Sequence, residues 1–154
     1  MDHSHHQTHA ASLKKVAFSA TLHCLTGCAV GEVLGMILGN FFNIHNAASI
    51  ALSIVLAFIF GYSFRIFPLL RHGLSLSKAL ALAFAADTVS ITVMEIMDNL
   101  IVLLIPGAMD AGLTTLLFWG SLVVSLFVAF WSAYPVNIYL ISKGKGHAVV
   151  HAYH

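Results

Sequence analysis

The chain has 154 residues, 59% of them apolar and only 8% charged, with a mean hydropathy of +0.91 and a formal net charge of +1. A soluble domain carries roughly 25% charged residues and, at this size, buries only about 70% of its unfolded surface. So much apolar surface needs lipid as its solvent, which excludes a soluble enzyme domain, a disordered chain and a nucleic-acid binder with a basic face.

The reading that remains is all-α: an integral membrane bundle of four transmembrane helices over residues 16–141, between a His-rich tail at 1–15 and a His-containing tail at 142–154. The first tail holds His3, His5, His6 and His9, and the second holds His147, His151 and His154. Histidine-rich tracts bind metal loosely, so His3, His5, His6, His9, His147 and His151 form a secondary metal site. The start of the chain does not read as a signal peptide. His23, Cys24 and Glu32 interrupt its apolar run, and no small-x-small cleavage site follows.

A bilayer asks for about 20 mostly apolar residues per helix. Span 1 covers Val16–Phe42 and ends at Asn43-Ile44-His45-Asn46. Span 2 covers Ala47–Leu70 and ends at Arg71-His72-Gly73. Span 3 covers Lys78–Ile105 and ends at Pro106-Gly107, and span 4 covers Leu113–Ile141. In lipid every backbone group must be paired internally, which leaves helices or closed barrels, and runs this long do not resemble alternating barrel strands.

Span 1 is the richest in chemistry. Residues four apart stack on one helix face. Cys24, Cys28, Glu32, Met36 and Asn40 form one row, and His23, Gly27, Gly31, Gly35 and Gly39 form the next. The second row is a run of small-xxx-small steps that lets another backbone approach closely. Its partner is either another span or a second copy, so Gly27, Gly31, Gly35 and Gly39 are the candidate face of a homo-oligomer. The first row carries soft sulfur beside a carboxylate. Thiolate and thioether donors select Cu(I) and other soft ions.

Span 2 has Tyr62 and Arg65 near its inner end and is otherwise lipid-like. Span 3 supplies a second set of groups. With Asp87 at zero and about 100° per residue, Met94 falls near −20°, Asp98 near +20° and Glu95 near +80°. Spans 1 and 3 run in the same direction. At about 1.5 Å per residue, Cys24 and His23 come level with Asp87, Cys28 with Ile91, and Glu32 with Glu95. Four of the six acidic residues, Glu32, Asp87, Glu95 and Asp98, thus lie inside spans. Each costs about 2.5–3.5 kcal/mol at mid-membrane on insertion scales, and the only cation inside a span is Arg65. Either Arg65 and Asp87 are a structural pair, or the acids serve a cation or proton path. In span 4 the aromatic residues read as interface anchors, Pro135 predicts a kink, and depth brings Tyr134 toward His23.

Orientation follows from the basic residues. Lys14, Lys15, Arg65, Arg71, Lys78, Lys143 and Lys145 all fall on one side of a four-span arrangement, and the connections at 43–46 and 106–112 hold none. The positive-inside rule makes that side, with both termini, cytoplasmic.

The run His23-Cys24-Leu25-Thr26-Gly27-Cys28-Ala29-Val30-Gly31-Glu32, with the later Ala133-Tyr134-Pro135-Val136-Asn137 and Lys143-Gly144-Lys145-Gly146-His147, resembles a family of small four-span bacterial membrane proteins of unassigned function. The resemblance covers the chain after about Ser12 and implies a bacterial cytoplasmic membrane. Some members of that family carry, or are encoded near, heavy-metal-binding or copper-oxidase domains, which implies a copper connection. It brings no catalytic residues.

The functional expectation is a soft-metal protein that binds an ion between spans 1 and 3 and transports or delivers it. Its metal residues are His23, Cys24, Cys28, Glu32, Asp87, Met94, Glu95 and Asp98. Cu(I) is the first choice, zinc the second and mercury or cadmium the third, and the remaining partner is the bilayer. No nucleotide-binding G-x-x-x-x-G-K-[ST] motif is present. The alternatives are a membrane thiol–disulfide oxidoreductase cycling Cys24 and Cys28, for which a second cysteine pair is missing, and a structural assembly subunit.

Overall fold

Nothing between His3 and Phe41 interrupts a helix: there is no proline, and the first glycine is Gly27. In the computed structural model, which describes residues 3–71 and 73–143 and gives only the backbone at 3–12 and 86, this stretch is one continuous helix, α1 (His3–Phe41). Its apolar part, Leu13–Phe41, lies close to the expected span Val16–Phe42, and the helix extends N-terminal of it to His3. The others follow the expected spans closely: α2 (Asn46–Arg71), α3 (Leu76–Leu104) and α4 (Leu116–Ser142). The turns fall where their residues allow, with Asn43 at φ 52°, Gly73 at φ 83° and Gly107 at φ 77°, left-handed values that glycine and asparagine tolerate best.

The Leu13–Phe41 part of α1, α2 and α4 are each long and apolar enough to cross a membrane. The two arms of α3, Leu76–Ala85 and Asp87–Leu104, make a fourth crossing when taken as one span bent by 46°. The sharp bend therefore lies in α3, which contains neither proline nor glycine, while α4 continues as helix through the Pro135 expected to kink it.

Polarity is inverted relative to a water-soluble bundle. Leu116, Phe41, Val123 and Phe127 point outward, with Leu116 91% exposed, whereas Glu32, Arg65, Asp87, Glu95, Asp98 and Asn137 are buried. A soluble protein almost never buries so many charged groups while leaving large apolar ones outside. Such an arrangement matches a multi-pass helical protein in lipid.

The helices form a ring in which α1 neighbours α2 and α4, and α3 neighbours the same two. Across the centre α1 also meets α3. The glycine row of α1 is taken up by α2 of the same chain. A Cβ at Gly27 would lie 2.6 Å from Gly61 Cα, and one at Gly35 2.6 Å from Ser53 Cα. Gly31 faces the Ala57 backbone and Gly39 faces Ser49 in the same way. Of the two partners open to the glycine row, another span or a second copy, the structure shows another span, α2. One expectation is corrected: α2 is not lipid-like all round, since Ser49, Ser53, Ala57, Gly61 and Arg65 form a buried row at four-residue spacing. Small residues on both helices allow the close approach, and side-chain contact between backbones this near drives association in lipid.

Candidate functional site

Because α1 and α3 meet across the ring, the groups they turn inward share its centre. Cys24, Cys28 and Glu32 from α1 and Asp87, Ser90, Met94, Glu95 and Asp98 from α3 are all buried. Cys24, Cys28, Ile91 and Met94 belong to one apolar cluster, closed by Ala57 of α2 and by Ala129 and Ala133 of α4. Both cysteines are free.

At the inner end of this column, Arg65 holds Asp87 with two hydrogen bonds. Its Nε donates to Oδ2 at 2.8 Å and an Nη donates to Oδ1. The Cys24 thiol donates to the same Oδ1 at 3.5 Å, which is the pairing that helix depth predicts. The structural pair between Arg65 and Asp87 is therefore formed, and Asp87 is occupied by it. Beside it, Tyr62 stacks on Phe84 with ring centroids 4.7 Å apart and shares a hydrogen bond of 2.9 Å with Thr88.

Further out the register departs from depth arithmetic. Cys28 lies beside Glu95 as well as Ile91, and Glu32 meets Asp98 first and Glu95 second. Eight residue steps of α1, from Cys24 to Glu32, are thus matched by eleven of α3, from Asp87 to Asp98. The depth argument assumes parallel axes, whereas α3 is bent at Ala85–Asp87.

These outer carboxyls lack what Asp87 has. Both carboxyl oxygens of Glu32, both of Glu95 and Oδ1 of Asp98 are buried and make no hydrogen bond among the described residues. A buried polar atom without a partner costs free energy comparable to a lost hydrogen bond, and more when charged. Beyond them opens a cavity of about 360 Å³ at the end of the bundle that carries the 43–46 and 105–115 connections, with Glu32, Met36, Asn40, Asp98, Asn99 and Asp110 in its wall. Asn46 donates to Asp110 at 3.0 Å and so ties the two connections together.

His23 stands apart from this column. Its ring sits edge-on to Phe64 of α2, with centroids 6.0 Å apart, and its Nε2 has no partner. The reason is its place in the glycine row, the face that packs on α2. Tyr134 does not approach it either: its hydroxyl donates to the Lys14 carbonyl at 3.5 Å and its ring meets Phe18. Among the described residues no three His, Cys, Asp or Glu side chains converge as a ready-made metal cage. The side chains of His3, His5, His6 and His9, and all of His147, His151 and His154, lie outside the described residues.

One polar knot went unrecognised in the sequence. Asn137 of α4 donates from one amide nitrogen to Thr21 of α1 at 2.8 Å and to Ser90 of α3 at 2.9 Å. A signal was present: Asn137 ends a row of small residues, Ser121, Ser125, Ala129 and Ala133, that α4 buries, so its amide had to face neighbouring helices.

Compared with known proteins, residues 14–146 match the model of a family described as a domain of unknown function, DUF4396, and the chain belongs to that family. No curated protein and no solved structure matches it.

Proposed function

We propose that this DUF4396 protein is a four-span protein of a bacterial cytoplasmic membrane, with both termini in the cytoplasm, that binds Cu(I) between α1 and α3 and moves it across the membrane or hands it to a partner. One observation carries the reading: two free thiols, Cys24 and Cys28, share a dry cluster with the Met94 thioether beside carboxyl oxygens that have no partner. Soft Cu(I) is satisfied by few sulfur donors. Two thiolates and a thioether suffice, without a cage of three His, Cys, Asp or Glu groups.

In this reading Cys24 and Cys28 are the principal ligands and Met94 is the third. Glu95, beside Cys28, offsets the ion's charge, with Glu32 and Asp98 beyond it. Asp87 serves as the anchor of Arg65 and orients Cys24 rather than binding metal directly. The tail histidines collect the ion on the cytoplasmic side, and His23, inside span 1, receives it from them. All seven basic residues on one side of four spans support the orientation.

The protein purified anaerobically with reduced cysteines is expected to retain about one Cu(I) per chain against a competing chelator. Cys24→Ser/Cys28→Ser should lose it, because hard hydroxyl donors replace soft ones. Equal copper in both, measured by elemental analysis, would refute the site.

A further inference from the structure

The cavity at the 43–46 and 105–115 end lies beyond the sulfur donors of the copper reading and is bordered by its outermost carboxyls, Glu32 and Asp98. Its volume, about 360 Å³, is far more than a bare ion needs and falls in the range of small-molecule sites, roughly 300–1,000 Å³. Three carboxyl residues, Glu32, Asp98 and Asp110, contribute to its wall, and no Lys, Arg or His does. Glu32 and Asp98 are only 7% and 3% exposed. Glu32 and Asp98 face each other, and among the described residues both oxygens of the first and one of the second make no hydrogen bond, so an N–H donor bound between them meets acceptors from both.

One part of the lining is apolar, with Met36, Ile50 and Val102 facing the same space as the amides of Asn40 and Asn99 and the hydroxyl of Ser53. Hard metal ions are bound by converging oxygens, and among the described residues no three acidic, histidine or cysteine side chains converge. A ligand that matches both halves of the wall has a charged N–H donor and a hydrocarbon body.

We propose that this cavity binds a small organic cation, an alkylammonium. Its ammonium group donates to Glu32 and Asp98 at the cavity floor, and its alkyl chain lies along Met36, Ile50 and Val102. Asp110, exposed and held by Asn46 through one carboxyl oxygen, sits in the connection between α3 and α4. Asp98 is about 9 Å along the helix axis from the last residue of α3, at 1.5 Å per residue. The two acids are therefore separated, and a second ammonium on the far end of the chain reaches Asp110. The site is independent of the sulfur cluster deeper in the bundle.

The test uses the full chain in lipid nanodiscs, titrated calorimetrically with n-butylamine and with the corresponding terminal diamine. Both should bind the wild type. Glu32→Gln and Asp98→Asn should each weaken both ligands by about tenfold or more, the loss of one charge-assisted hydrogen bond. Asp110→Asn, an exposed change that leaves the bundle's interior untouched, should weaken the diamine and spare the monoamine. Cys24→Ser/Cys28→Ser should leave amine binding unchanged, which separates this site from the copper site. Two results would overturn the proposal: amine affinity that ignores all three acid substitutions, or a wild type that binds Mn(II) through these acids but neither amine.

Discussion

Replacing Arg65 by methionine is expected to destabilise the folded bundle by about 3–5 kcal/mol, the cost of removing one partner from a buried ion pair. Both carboxyl oxygens of Asp87 take hydrogen bonds from Arg65, and among the described residues only the weak Cys24 thiol donor would remain. Asp87 is fully buried and cannot turn to solvent. Arg65→Met/Asp87→Leu removes both charges and should recover most of the loss, since an apolar pair of similar volume often equals or exceeds a buried ion pair in stability. Unfolding in detergent, followed by circular dichroism, measures both variants. A single variant as stable as wild type would mean that the pair does not secure α2 to α3.

The second large effect is all-or-none. A reporter enzyme active only outside the cytoplasm should be silent when fused after His154, and active when inserted near His45 or Asp110. The prediction joins two independent lines. All seven Lys and Arg residues lie by the termini or the α2–α3 connection, and basic residues near span ends set orientation toward the cytoplasm. The helix count is the other: three helices long enough to cross, with α3 as the fourth when its bent arms act as one span. If α3 failed to cross, His45 and Asp110 would face opposite sides and one of the two insertions would be silent.

Much of the architecture was legible before any coordinates. Scarcity of charge implied lipid, and breaks at Asn43, Gly73 and Gly107 marked the helix ends. The four-residue rows of α1 were legible as one face for ligands and one for packing. Cys24 meeting Asp87 followed from helix rise alone. What escaped was whatever depends on how two helices lie relative to each other. Rise per residue cannot foresee the bend at Ala85–Asp87, so Cys28 pairs with Glu95 and Glu32 with Asp98. The packing partner of the glycines escaped for a different reason. Ser49, Ser53, Ala57 and Gly61 are spread among Leu, Ile and Phe, and high average hydropathy masked a small-residue row with the same spacing as the glycines. His23 shares the depth of Cys24 but belongs to the glycine row, and that row's place against α2 turns its ring to Phe64. The cavity escaped because two connections and the ends of the helices build it jointly.

The copper reading and the amine reading make separable demands on the same interior. Sulfur deep between α1 and α3 serves the metal, and the acids nearer the α3–α4 connection serve the organic cation, with Glu95 between them. Substitution at Asp110 therefore reports on the cavity alone, and substitution at the cysteines on the metal alone.

The central claim, that Cys24, Cys28 and Met94 form a soft-metal site, is tested most directly by copper X-ray absorption on the Cu(I)-loaded protein. The account predicts a first shell of two or three sulfur atoms, reduced in Cys28→Ser. A shell of nitrogen and oxygen only, unchanged in that variant, would contradict it.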